Sequence, residues 1–204
     1  PTNAIWKTRR WVDENILSGD ISRLNGVFWN EGKKPHFTID FSLDGVESRF
    51  MKTMPPIQNG YGGARLTDRF LQIDLSSGEV IAPNGGRIDM SGSSLFIEDI
   101  TVRPAIGDIH LRTRSDLQAA LSIMDLPPFE YLKKVNLSPA LATGEVDVAA
   151  FMTVPLKKGT KPQEVDFYVE ADVNAVESSS LFPGKLLSAD ALKFTADNTQ
   201  VSVT

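Results

Sequence analysis

The sequence predicts a mostly β protein: one long antiparallel meander curved into a groove, with a few short helices at its ends or rim. Three observations predict it. Apolar and polar residues alternate with period two along most of the chain. The turn signals between these runs are too short for the crossover that a parallel pair needs. Helical spacing is confined to a few short stretches.

The first stretch, "TRRWVDENILSGD", places Trp11, Ile16 and Leu17 on one helical face and stops at Gly19. "HFTIDFSLDG" then sets Phe37, Ile39, Phe41 and Leu43 against His36, Thr38, Asp40 and Ser42, a strand with one apolar face. In "FMKTMPPIQNGYGGARLTD" the prolines and Gly60, Gly62 and Gly63 read as a turn in which glycine supplies positive φ. "FLQIDLSSGEV", "GRIDM", "SLFIEDI" and "DIHLRTR" read as further strands. They are parted by turns at Ser77-Gly78, Asn84-Gly85-Gly86 and Ser91-Gly92-Ser93. "SDLQAALSIMD" predicts a helix, with Ser115 and Gln118 as a capping box and Leu117, Ala120, Leu121 and Met124 as its apolar face. Pro127 and Pro128 end it, and "PFEYLKKV" predicts a second short helix from the proline start.

Two long strands follow. "GEVDVAAFMTVPL" puts Val146, Val148, Ala150, Met152, Val154 and Leu156 on one face, and "EVDFYVEADVNAV" does the same with Val165, Phe167, Val169, Ala171 and Val173. A strand, tight turn and strand recur in "DRFLQIDLSSGEVIA", "GGRIDMSGSSLFIED" and "DALKFTADNTQVSVT", the last turning at Asp197-Asn198. Such a meander extends in one direction, as repeat proteins do.

Composition narrows the function. The 204 residues suit a single domain or a piece of a larger chain, and the opening Pro1 together with a final strand-like run reads as one segment, 1–204, of a longer protein. The net charge of −5 and the lack of any basic stretch exclude a nucleic-acid footprint. With no cysteine, disulfides and thiol chemistry are excluded. "NGYGGARL" lacks the lysine and the following Ser or Thr of a phosphate loop. His36 and His110 are the only histidines, and no cluster has metal-ligand spacing. Ser93 or Ser94 with His110 and Asp99 would be a hydrolase triad only if geometry joined them, and no G-x-S-x-G turn is present. Trp6, Trp11, Phe28 and Trp29 read as core or rim packing. The residues thus predict no catalytic, metal or cofactor site. A sheet with one apolar face needs a cover, and the helices are too few to supply it. An apolar trough invites acyl chains, with Phe37, Ile39, Phe41, Leu43, Val146, Val148, Met152, Val165, Phe167 and Val169 as its lining.

These motifs, in this order, resemble the AsmA-like proteins of Gram-negative bacteria, especially their long YhdP-like branch, relatives of TamB. The resemblance lies in the tryptophan-bearing "RRWVDENILSGDI" with Trp11 and Gly19. It continues in the "PPIQNGYGGARL" stretch from Pro55 to Leu66 with Gly78 and Val80 after it, and in "LQAALSIMDLPP" from Leu117 to Pro128 with Gly144 and Val146 after it. It implies a repeating, taco-like β-groove that carries phospholipid between inner and outer membrane through the periplasm. It also implies a parent chain anchored in the inner membrane through a region outside this segment. The partners it implies are phospholipid acyl chains, neighbouring segments of the same parent chain and the inner membrane, with no enzymatic activity. The competing expectation is a structural or interaction module of a large envelope protein, whose sheet edges pair with their neighbours. An envelope hydrolase or sugar-binding domain is the third.

Overall fold

The computed structural model describes residues 15–181 and 184–204, so the expected positions of Trp6 and Trp11 lie outside the described residues. The chain is mostly β, as the alternation predicts. Eleven strands form one large antiparallel sheet: β1 (Ile16–Glu31), β2 (Lys34–Ser48), β3 (Ile57–Thr67), β4 (Leu71–Ile81), β5 (Arg87–Asp89), β6 (Ser94–Ile97), β7 (Ala105–Asp116), β8 (Thr143–Leu156), β9 (Asp166–Ser178), β10 (Leu187–Asp197) and β11 (Val201–Val203). Their order in the sheet follows the chain from β1 to β11, except that β6 lies beside β5, pairing with β4 and β7. The path is open, with β1 and β11 at its two ends.

Two short helices, α1 (Leu117–Met124) and α2 (Tyr131–Lys134), fall where the helical spacing and the proline break place them. Their details differ from expectation. Ser115 is no helix cap: it stands in β7 opposite Val146, and its hydroxyl donates to the Asp116 carbonyl at 3.0 Å. The ladder claims Ser115 before the helix can, and Asp116 takes the cap position without a side-chain bond. The buried face of α1 is Ala119 and Ser122, not the Leu117, Ala120, Leu121, Met124 stripe; Met124 is exposed. Small residues face the sheet because α1 lies close against the β4–β5 turn, where a Cβ on Gly86 would come within 2.6 Å of the Ala119 Cβ. α2 begins at Tyr131 rather than at the prolines, after Glu130 in a left-handed conformation (φ 47°). At the other end of the chain, the helix expected to run to Gly19 has given way to strand by Ile16.

The main buried cluster sits under α1. Val80, Ala82, Ile88, Met90 and Ala119 form it, with Ile57, Leu75, Leu111 and Ile123 packed around them. α1 therefore covers the sheet at one end of strands β5, β7 and β8, and among the described residues the rest of that face is left to its own strands.

Gly60, Gly62 and Gly63 lie inside strand β3, which corrects the expected turn, and none of them has positive φ. What they supply is room. A Cβ on Gly62 would lie 2.0 Å from the Asp74 carbonyl oxygen, where β3 and β4 approach at a shift in register. Asn59 takes the left-handed conformation instead (φ 51°), and its amide donates to Glu79 at 2.6 Å. Ser77-Gly78 is likewise no turn. It belongs to β4, where the pairings Gly62–Leu75 and Tyr61–Ser77 leave Ser76 as an extra residue, a bulge. The first of the three repeats is thus a strand interrupted by a bulge, while the second and third are strand–turn–strand units.

The turns share one chemical device. Asp89, Asp99 and Asp197 each accept from the backbone N–H and the hydroxyl of the residue two positions on. The distances are 2.9 and 2.5 Å for Ser91, 2.8 and 2.5 Å for Thr101, and 2.7 and 2.6 Å for Thr199. These hydrogen bonds favour the carboxylate form and hold all three acids below the usual aspartate range. A folded pKa below the unfolded one contributes stability that is fully present above the unfolded value. It is lost as pH falls through the folded value. The melting temperature is therefore expected to fall below about pH 4, and Asp197→Asn should weaken that dependence. A melting temperature that rises on acidification would contradict this account of the turns.

Candidate functional site

The register of the sheet builds a continuous apolar face, because residues directly opposite one another across strands project to the same side. Phe41, Ala64, Ile73, Leu95, Ile109, Met152 and Phe167 succeed one another across β2, β3, β4, β6, β7, β8 and β9. A second row runs Ile39, Leu66, Leu71, Ile97. A third runs Val80, Ile88, Ser115, Val146, Val173 and Leu192 beneath α1. Val148 stands between Thr113 and Ala171, and Val169 between Ala150 and Ala196. Leu43 lies opposite Gly62, and Phe37 meets Phe28 of β1 with ring centroids 6.2 Å apart.

Nine of the ten residues expected to line the trough thus stand on paired strands of one sheet, their apolar alternation in register. Val165 is the tenth. It precedes β9 at the end of a short 3-10 turn, and its carbonyl accepts from the Asn198 amide at 2.8 Å, so no ladder fixes it. The expected set also left out the middle of the face. Ile73, Leu95, Ile109 and Leu111 occupy it, and their signal was already present in the alternation of "FLQIDL", "SLFI" and "DIHLR".

Burial along this face is graded. Val146, Ala150 and Val173 are buried at the α1 end, at 3%, 3% and 2% exposure. Phe37, Ile39, Phe41, Leu43, Val148, Met152, Phe167 and Val169 are half-buried. Among the described residues no large side chain is fully buried. Neighbouring side chains on the same face shield one another, and among the described residues no second layer covers them away from α1.

The opposite face is charged. Arg65 donates to Asp40 at 2.6 Å and Arg114 to Asp147 at 2.6 Å, while Lys193 lies 3.6 Å from Glu170. The bonded carboxylates hold both guanidinium groups above their ordinary range. Tyr168 donates to Glu170 at 2.7 Å, which lowers the acid and raises the phenol. These pairs are exposed and contribute little to stability.

Nothing assembles into a reaction centre among the described residues. Ser94 stands opposite His110, but no hydrogen bond joins them, and the His110 ring packs edge-on to Phe151 at 4.5 Å. The Ser93 hydroxyl is engaged with the Arg112 carbonyl at 3.0 Å, and Asp99 serves its own turn. No group of three or more acidic or histidine side chains among the described residues could hold a metal ion. No helix among them is long and apolar enough to cross a membrane. Of the aromatic residues near the start of the chain, Phe28 and Trp29 lie on β1, with Trp29 stacked on His36 at 5.5 Å.

Compared with known protein families, with characterised proteins and with solved structures, the chain matches none of them.

Proposed function

We propose that this chain is a non-enzymatic segment of a phospholipid-conducting groove in a periplasmic, inner-membrane-anchored protein of the AsmA-like family, in its YhdP-like branch. The observation that carries the reading is the half-buried apolar face that runs unbroken from β2 to β9. Curled about its long direction, such a face forms a trough. Acyl chains laid in it would leave water at about 0.8 kcal/mol per CH2. Headgroups would remain in water at the open side. The charged opposite face suits an aqueous compartment, and the sixteen-residue edge strand β1 suits continuation by a neighbouring segment.

A second reading has its own support. β1 is sixteen residues long, lies at the sheet edge, and exposes Ile21, Leu24, Val27 and Phe28. An edge of that kind takes up another strand readily, so an interaction module without lipid cargo would also use it. Native mass spectrometry of the purified chain separates the two. Co-purified phospholipid, displaced by added lipid, is the expected result; a lipid-free chain that forms strand-paired oligomers would favour the second reading.

A further inference from the structure

The charged face of the sheet carries a feature that the lipid reading neither uses nor explains. Between β4 and β8 it sinks into a concavity of about 540 Å³. Among its lining residues is Ser94, a small residue flanked across the strands by Asp74 and His110. Beside Ser94 stand aromatic rings on the face that alternation makes polar. Phe96 is 38% exposed and Phe151 is 52% exposed. Phe96 is steadied by Phe70 at 5.8 Å and Phe151 by His110. Tyr168, directly opposite Phe151, extends the platform onto β9. Rings so placed gain little from folding, because they remain in contact with water.

The polar groups between the rings define the ligand chemistry. Asp108 stands opposite Phe96 and accepts from Thr153 at 2.7 Å, and Asp74 accepts from Gln72 at 2.8 Å. Neither carboxylate has an ion pair among the described residues, and no Lys or Arg lines the concavity. Anionic ligands, phosphate-bearing ones included, are therefore repelled. An ammonium ion would satisfy the carboxylates and rings but leave the Ser94 hydroxyl and the His110 ring nitrogens without a role. A polyhydroxylated ring uses all of them. Its C–H face lies on an aromatic ring, its hydroxyls donate to carboxylates, and neutral side chains both give and accept. Phe96 and Tyr168 lie three strand spacings apart, about 14 Å across the sheet, which fits several sugar units rather than one. We propose that this face binds a neutral oligosaccharide laid across β6 to β9. The proposal concerns the opposite face from the groove and does not depend on it.

The test is a titration of the 204-residue chain with chitotetraose and, separately, cellotetraose, followed by amide chemical shifts. Saturable shifts confined to β4 and to β6 through β9 are expected for at least one of them, with a dissociation constant of about 1 mM. Phe151→Ala should weaken binding about tenfold without changing the melting temperature, since the ring is half exposed. Asp108→Asn, which keeps the shape, should weaken it as well. No saturable shift with either oligosaccharide would overturn the proposal, as would binding indifferent to both substitutions. Saturation by tetramethylammonium at the same residues, with none by the oligosaccharides, would overturn it in favour of a cation site.

Discussion

Ala119→Asp is expected to destabilise the fold by about 3–5 kcal/mol. Ala119 has no exposed surface, and its Cβ faces Gly86 across the closest approach of α1 to the sheet. A carboxylate there has no cation to meet: its neighbours are Val80, Ala82, Ile88 and Met90. It must either stay buried without a partner or pry α1 away and expose that cluster. For a chain of this size the loss corresponds to a fall in melting temperature of roughly 6–20 °C. Leu121→Asp two positions on is the informative contrast. Leu121 is only half-buried, so its substitution should cost about 1 kcal/mol. Equal losses for the two would mean that α1 is rotated from the phase described here.

Gly62→Val is expected to cost about 3 kcal/mol. The obstacle is backbone: a Cβ at this position meets the Asp74 carbonyl oxygen at 2.0 Å, the Asp74 carbonyl carbon at 3.1 Å and the Leu75 Cα at 3.2 Å. None of these can swing aside as a side-chain end could, so β3 and β4 must part locally and break the apolar row between Leu43 and Leu75. The neighbouring Gly63→Ala is the control, because nothing lies within 4 Å of its Cβ position. Hydrogen exchange along β3 and β4 would read the difference. Unchanged protection in Gly62→Val would show that the strands are farther apart than described.

These two sites also mark where the sequence could and could not be read. Alternation identified β2, β8 and β9, because a residue on the wrong face of β8 or β9 would reverse every neighbour in its ladder, but it did not mark β1, the longest strand, or β3. The glycines of "NGYGGARL" misled, since glycine marks a turn and a close strand approach alike. A discriminating signal was available: Gly62, Ala64 and Leu66 keep period two straight through the run. The bulge in β4 left a trace as well, for Leu75 and Val80 share a face although an odd number of positions separates them. On α1, hydrophobic size does not mark the buried face. Where a helix lies close to a sheet, alanine and serine go inward and the larger side chains move to the flanks. Pairing partners were the part that no local pattern carries. The alternation gives each strand an apolar side, but only the register joins Phe41 to Phe167 through five strands between them.

Lipid conduction requires that joined face to be an open lining and not a closed core. The most direct measurement is photocrosslinking of phospholipid to a reactive residue placed beside Val148, with and without Val148→Asp, together with a melting curve of each. Val148 is half-buried and lies between Thr113 and Ala171 in the middle of the sheet. An open trough lets water reach the new carboxylate, so crosslinking should disappear while the fold persists. Collapse of the fold in Val148→Asp, or crosslinking that continues undiminished in a folded variant, would contradict the account.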